Sequence, residues 1–142
     1  MNKKGFTLIE LLVVIAIIGL LSTLAVVALS SARLKARDSK RLSDLKQIQT
    51  SLELYYTDKN AYPVEATAVT LGAAADDCID GGGIVAACAT TPTYMGLIPT
   101  DPGSNSYSYT SADGSTYSIA ATLEGTVGSL TGAITASPSG IQ

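Results

Sequence analysis

Residues 11–32 read LLVVIAIIGLLSTLAVVALSSA, a run of 22 residues without a charged side chain. At about 1.5 Å per residue this run would form roughly 33 Å of α-helix, enough to cross the hydrocarbon core of a bilayer. Lys3 and Lys4 precede the run and Arg33 follows it directly. Positive charge on both flanks leaves the orientation of the span open. The sequence therefore predicts one transmembrane helix near the N-terminus.

Charge divides the chain into two parts. Residues 1–59 hold nine basic and five acidic side chains, a net charge of +4, whereas residues 60–142 hold seven acidic side chains and none that are basic. Phosphate would repel the acidic part, so we expect no nucleic acid contact from it. Histidine is absent from the sequence, which removes the commonest general base and metal ligand. We expect no catalytic site and no cofactor.

One carboxylate, Glu10, lies at the beginning of the apolar run. A glutamate deep in a bilayer costs roughly 2.5–3.5 kcal/mol if it has no partner. The next cation along the chain is Arg33, 23 residues away, so the sequence indicates no partner within the helix. We expect the partner of Glu10 to come from another molecule or from a chain terminus.

The residues around Glu10 resemble a known family. Residues 3–10 read KKGFTLIE, and this run is similar to the leader of type IV pilins and type II secretion pseudopilins. In that family a membrane peptidase cuts after the glycine and methylates the new N-terminal residue. The resemblance implies cleavage between Gly5 and Phe6 and a role in assembly for Glu10. Pairing of the Phe6 amine with Glu10 of a neighbouring subunit would set the register of the helices.

Helical periodicity continues beyond the apolar run. An apolar stripe with spacings of three and four consists of Leu42, Leu45, Ile48, Leu52 and Tyr55. Asn60 and Pro63 supply a stop. The pattern predicts one helix from about Phe6 to about Lys59, roughly 80 Å long, with its second half packed on a small head. A dimeric coiled coil is the alternative, but the stripe lacks a strict heptad register.

Charged residues interrupt the stripe, and the sequence places them on a solvated face. These residues are Arg41, Asp44, Lys46, Glu53 and Asp58. The basic segment 33–41 is expected to form a solvated collar, in which Arg37 and Arg41 flank Asp38.

The C-terminal part has the composition of a small β-sheet domain. Residues 106–110 and 116–123 alternate in polarity around an Asp-Gly turn, which predicts a β-hairpin. Its expected buried side chains are Tyr107, Tyr109, Tyr117, Ile119 and Leu123. Residues 133–135 are a candidate for one more strand.

Two cysteines and an acidic loop are the remaining chemical features. Cys78 and Cys88 can form a disulfide in an oxidising compartment and would be free thiols in a reducing one. The calcium candidates are Asp76, Asp77 and Asp80, but the EF-hand spacing fails and a solvated acidic loop is favoured. Some major pseudopilins bind calcium through an acidic C-terminal loop, which this chain lacks.

A second resemblance extends along the head. Tyr62-Pro63 and the Pro-x-Asp-Pro run at residues 99–102 are similar to segments of the major pseudopilin. The resemblance implies an α+β fold, with a long N-terminal helix packed on a small antiparallel sheet. Its parts would be a leader (1–5), a transmembrane or filament-core helix (6–32), an amphipathic continuation (33–60) and a β-rich head (61–142).

The resulting functional hypothesis is a structural subunit of a pilus-like or pseudopilus filament. Implied partners are a prepilin peptidase, identical or related subunits, and a platform protein with an assembly ATPase at the membrane. The expected location is the cytoplasmic membrane, as a single-pass protein with an extracytoplasmic head, and then a surface or periplasmic filament.

The alternative is a tethered or secreted ligand-binding module released by signal peptidase near Ala32, with tyrosines that stack on sugar rings. The apolar run exceeds the about 7–15 residues of an ordinary signal peptide core, which favours the filament subunit.

Overall fold

The structure, a computed structural model, describes residues 5–142. The chain divides into two compact units. One ends at Leu34, and the other comprises Lys35–Gln142, which we call the head. The elements are α1 (Leu8–Lys59), β1 (Glu65–Leu71), β2 (Cys78–Asp80), β3 (Gly83–Val85), β4 (Thr93–Met95), β5 (Tyr107–Ser111), β6 (Ser118–Val127), β7 (Leu130–Ser137) and β8 (Gly140–Ile141). A long helix with antiparallel sheets confirms the predicted α+β class.

The first unit is the apolar part of α1. Within it an 18-residue window reaches a mean hydropathy of 2.9, and none of that window is buried. By length and composition the helix can cross a membrane, as predicted. Its large apolar side chains project on every side of the helix, from Leu8, 77% exposed, to Leu29, 52% exposed.

The head contains a five-stranded antiparallel sheet in the order β1-β5-β6-β7-β8. The predicted hairpin is confirmed, because β5 pairs with β6 and Tyr109 lies opposite Ile119. The candidate strand at 133–135 is also present, although β7 is longer, and it pairs with β6 through Ile134 and Ala121.

The second half of α1 packs on one face of this sheet. Leu45, Ile48 and Leu52 are fully buried, Tyr55 is nearly so, and the partly buried Leu42 packs against the same core. All five side chains predicted to be buried in the hairpin belong to that core. The stripe therefore packs on the sheet of its own chain, which confirms this interpretation over a coiled coil.

The helix ends where the sequence predicts. Asn60 adopts a left-handed conformation with φ of 56°, and its amide donates to the Tyr56 carbonyl at 2.8 Å. The chain then turns onto the sheet, where the Tyr62 amide donates to the carbonyl of Gly114. Gly114 has φ of +77°, and an added Cβ would lie 3.0 Å from the Tyr62 carbonyl oxygen, so this turn requires glycine.

A second, three-stranded sheet in the order β3-β2-β4 was not foreseen from the sequence. Its strands have three residues each, too short for a periodicity that could be read in isolation. Ile79 and Ile84 of this sheet join the main core.

Candidate assembly segment and head chemistry

The predicted cleavage position lies at the exposed beginning of the described chain. Phe6 is 91% exposed. A Cβ added to Gly5 would meet nothing within 4 Å, and the backbone there is not in the left-handed region. The fold of this chain therefore gives no reason for glycine at position 5. Lys3 and Lys4, the basic part of the predicted leader, lie outside the described residues.

Glu10 has a hydrogen-bond partner close by in its own chain, so the expectation that the helix offers it none was wrong, whereas its pairing with another subunit stays a prediction. Its Oε2 atom accepts hydrogen bonds from the Thr7 amide and the Thr7 hydroxyl, each at 2.8 Å. The Thr7 hydroxyl accepts in turn from the Glu10 amide at 3.3 Å. This reciprocal arrangement is a capping box, which satisfies amides at the helix N-terminus. Its signature in the sequence is Thr-x-x-Glu, which an argument from opposite charges does not include.

The capping box leaves the Glu10 side chain accessible. Its side chain is exposed, and both bonds from Thr7 go to one carboxylate oxygen. The second oxygen is left available to another donor. The arrangement can therefore cap the helix and accept a further hydrogen bond at the same time.

In the head, Arg41 is at the centre of a cluster of ionised groups, which we call the guanidinium cluster. Its members are Arg37, Asp38, Arg41, Asp101 and Glu124. Arg41 binds Asp101 through two parallel hydrogen bonds of 2.6 and 2.9 Å. It also donates to Asp38 at 2.7 Å and to Glu124 at 2.7 Å. The cluster thus joins α1 to the segment before β5 and to β6.

The prediction of a solvated collar is wrong for Asp38 and Arg41. Arg41 and Asp38 are fully buried, and Asp44, also predicted on the solvated face, is 2% exposed. Asp38 accepts from the backbone amides of Glu124 and Gly125 at 2.9 and 2.7 Å. These partners lie 86 and 87 residues away along the chain, so spacing within the helix could not reveal them.

Hydrogen bonds to the charged forms keep the guanidinium cluster ionised. Bonds from Arg37 and Arg41 lower the pKa of Glu124 to about 2. The pKa of Asp101 is lowered chiefly by its bonds from Arg41. Burial opposes ionisation of Asp38, but bonds from the Glu124 amide and from Arg41 outweigh it and lower its pKa. The pKa of Arg41 itself is raised, first by its bonds to Asp101.

The cysteines and acidic residues of the loop have distinct environments. Cys78 and Cys88 form a disulfide with Cα atoms 5.6 Å apart. Both oxygens of the buried Asp80 accept backbone amides, one from Gly82 and the other from Ala89 and Thr90, which lowers its pKa.

The other two calcium candidates, Asp76 and Asp77, are partly exposed. Within residues 5–142 no group of three or more possible metal-ligating side chains converges. The structure therefore does not bring the three calcium candidates together as a ligand set, and it uses Asp80 to organise the loop.

The tyrosines pack on one another and do not form an exposed platform. Tyr62 lies between Tyr56 and Tyr117, with ring centroids 4.7 Å away on each side, and Tyr109 stacks on Tyr117 at 6.0 Å. Only Tyr56 of these four is exposed, at 39%. The stacking on sugar rings that the alternative hypothesis expects therefore has no suitable aromatic surface here.

Comparison with known proteins matches each of two successive segments of the chain to a family model. Residues 1–26 match the prokaryotic N-terminal methylation motif. That motif, the exposed apolar helix and the small β-sheet head define the class of pilin-like proteins. Residues 28–132 match the family of type II secretion system protein G. The chain belongs to that family.

Individual relatives agree with this assignment. The type II secretion system core protein G of Escherichia coli is 32% identical over 108 residues, which are 75% of this chain and 70% of that protein. The core protein G of Pectobacterium carotovorum is 41% identical over 62 residues, 44% of this chain and 40% of its own length. The type IV wide pilus major component of Thermus thermophilus is 42% identical over 72 residues, 50% of this chain and 55% of that protein. No solved structure matches the chain significantly.

Proposed function

We propose that this chain is a structural subunit of a filament, either a type II secretion pseudopilus or a related type IV pilus. The proposal is supported chiefly by the apolar surface of α1 before residue 30, which is exposed on every side and lies largely within residues 1–26, the match to the methylation motif. Such a surface requires lipid or other apolar helices around it. A filament core made of these helices supplies that environment after the subunit leaves the membrane.

The first step of the mechanism is removal of residues 1–5 by a prepilin peptidase, with methylation of the new N-terminal Phe6. The exposed backbone at Phe6 and the absence of any internal reason for glycine at position 5 support this step. Glycine there is explained by the requirement of an external enzyme.

Before assembly, residues 6–32 span the cytoplasmic membrane once and the head lies outside the cytoplasm. The Cys78–Cys88 disulfide supports an oxidising location for the head. A platform protein and an assembly ATPase would then move the subunit into the filament.

Glu10 has two roles in this mechanism. In the single subunit it caps α1 through Thr7. In the filament its remaining oxygen accepts a hydrogen bond from the Phe6 amine of a neighbouring subunit. One carboxylate then both caps the N-terminus of the helix and sets the stagger between subunits. A charged pair in an apolar core contributes register more than net stability.

The test of processing is the intact mass and N-terminal sequence of the protein from sheared surface material and from membranes. We expect a chain that begins at methylated Phe6. Recovery in the sheared fraction identifies a surface pilus, and retention with the cells identifies a short pseudopilus. A chain that begins at Arg33 would replace the proposal with the released binding module, and an uncut chain would overturn it.

The test of Glu10 separates the cap from the charge. Glu10→Gln keeps an acceptor for the Thr7 amide but removes the charge, whereas Glu10→Ala removes both. We expect normal cleavage but little incorporation into filaments for both variants. Thr7→Val, which removes the hydroxyl of the capping box and keeps the charge, is the matched control and should incorporate better than either. Normal incorporation of Glu10→Gln would show that only capping matters.

A further inference from the structure

The Cys78–Cys88 disulfide and the Asp80 carboxylate close the same loop of the head. Cys78 and Asp80 are the two ends of β2, and Cys88 lies 10 residues after Cys78. One oxygen of Asp80 accepts the amides of Ala89 at 2.9 Å and Thr90 at 2.7 Å, which are the two residues that follow Cys88. The loop is therefore fastened once by a covalent bond and once by hydrogen bonds to a carboxylate.

The hydrogen bonds of Asp80 do not require the disulfide. Asp80 is 1% exposed, and its second oxygen accepts the Gly82 amide at 2.8 Å. If the loop opened, this buried carboxylate would lose two of its three amide donors. Since a buried charge without its donors is costly, Asp80 favours a closed loop in the reduced chain as well as in the oxidised one. The backbone of Cys88 then stays beside β2 before the disulfide forms.

The two cysteines differ in their access to solvent. Cys78 is 1% exposed and belongs to β2, the middle strand of the three-stranded sheet. Cys88 is exposed and lies in residues 86–92, between β3 and β4, where its sulfur is 3.7 Å from the carbonyl oxygen of Met95 in an exposed contact. Thiol–disulfide exchange requires contact between the attacking thiolate and a sulfur of the other disulfide, so its rate depends on access. Of the two cysteines, Cys88 is the one that a molecule in solution can reach.

From these contacts we propose that Asp80 closes the loop first, and that the folded head then acquires its disulfide by exchange with a dissolved disulfide compound at Cys88. The Cys88 thiolate attacks one sulfur of the oxidant, forms a mixed disulfide and releases one thiol. The Cys78 thiolate then attacks the Cys88 sulfur and releases the second thiol. The two cysteines lose two electrons and two protons, which the oxidant gains. Asp80 is a positioning residue, since it acts through the amides that follow Cys88. The proposal concerns the single subunit and does not depend on filament assembly.

The first test identifies the cysteine that reacts first. The full chain is reduced in detergent, given a short pulse of N-ethylmaleimide and digested, and the labelling of each cysteine peptide is measured by mass spectrometry. We expect Cys88 to be labelled more than about tenfold faster than Cys78, because a buried thiol reacts only after local opening. The two rates should become equal in concentrated guanidinium chloride. Equal rates in the folded chain, or faster labelling of Cys78, would overturn entry at Cys88.

Glutathione disulfide is the probe for the exchange itself. Cys78→Ser removes the second attacking thiol, so we expect one glutathione to remain on Cys88 as the trapped intermediate. Cys88→Ser is the matched variant, and its Cys78 should react more than about tenfold more slowly while near-ultraviolet circular dichroism shows a folded head. Equal modification of the two folded variants would contradict the proposed order. Should either variant not fold, the pulse labelling of the unmodified chain decides the order.

The second test measures the role of Asp80. The ratio of oxidised to reduced chain is determined at equilibrium in a glutathione buffer, with and without guanidinium chloride. Asp80→Asn keeps one acceptor oxygen but removes the charge, and we expect the ratio in the folded chain to fall about tenfold. Asp77→Asn, the matched control, removes a partly exposed carboxylate on the other side of Cys78 and should not change the ratio. An unchanged ratio in Asp80→Asn, or an equal fall in the control or in guanidinium chloride, would overturn the role of Asp80.

Discussion

Replacement of Arg41 by methionine tests the guanidinium cluster directly. Methionine keeps much of the apolar volume but removes four hydrogen bonds, two to Asp101, one to Asp38 and one to Glu124. The side chains of Asp38 and Asp101 are 0% and 1% exposed, so their charges remain buried without a cation. Removing one partner of a buried ion pair typically costs about 3–5 kcal/mol.

The remaining bonds place the expected loss at the lower end of that range. Asp38 keeps two backbone amides and Asp101 keeps the Gly103 amide at 2.7 Å. We expect a loss of about 3 kcal/mol in the free energy of unfolding. For a domain of this size that corresponds to a fall in Tm of about 12 °C.

The dependence on pH separates this explanation from a general packing defect. In the unmodified chain the cluster carboxylates have lowered pKa values, so their contribution is complete above the ordinary carboxyl pKa and is lost as the pH falls toward about 2. In Arg41→Met the unpaired buried carboxylates would have raised pKa values. The folded variant then takes up protons, and its Tm should rise between pH 7 and pH 5, where the Tm of the unmodified chain is not changed by these groups.

The assay is thermal unfolding of the full chain in detergent, followed by near-ultraviolet circular dichroism of tyrosine. All seven tyrosines belong to the head, so this signal reports its unfolding and not that of the apolar helix. Lys35→Met, which removes an exposed cation that has no ion pair among the described residues, is the control and should change Tm little. A fall in Tm no larger than the control's, or no rise between pH 7 and pH 5, would contradict this role of Arg41.

Three further predictions concern the head. Gly103→Ala should lower the free energy of unfolding by about 1–3 kcal/mol, because its Cβ would lie 2.8 Å from the guanidinium of Arg41. Gly96→Ala is the control, since its Cβ would meet nothing within 4 Å and Tm should not change; equal melting of the two variants would contradict the prediction. Cys78→Ser should cost about 2–3 kcal/mol, and a reductant should lower Tm in the unmodified chain but not in this variant; an unmodified chain insensitive to reductant would disprove the stabilising role. Tyr107→Phe removes a hydroxyl that donates to a buried carboxylate at 3.0 Å and should cost about 1 kcal/mol in denaturant unfolding. The same change at Tyr117, whose hydroxyl makes no well-formed hydrogen bond within residues 5–142, should cost less, and the reverse order would be inconsistent with these contacts.

Local features of the fold could be predicted from the sequence because their causes lie within a few residues. The uncharged run, the stop at Asn60 and the alternation of the hairpin depend on hydrophobic spacing and on backbone sterics. The disulfide was also predictable, conditional on an oxidising compartment. The capping box at Thr7 and Glu10 belongs with these local features, since its signature spans four residues.

The buried charges show where the sequence alone was insufficient. Positions 38, 41, 45, 48, 52 and 55 continue one stripe with spacings of three and four, and all six are buried. The stripe expected from the sequence begins at Leu42, because charged residues normally avoid burial. Arg41 can be buried only because it binds the carboxylates of Asp101 and Glu124, which lie 60 and 83 residues away along the chain.

Sequence patterns were enough to predict the apolar helix, its continuation with one buried stripe and the hairpin that covers that stripe. The burial of Asp38 and Arg41 in the same stripe, the role of Asp80 in its loop and the mutual packing of the tyrosine rings became visible only in the folded chain. Hydrophobic periodicity acts between neighbours in sequence, whereas a buried charge is tolerated only when distant segments supply its partners.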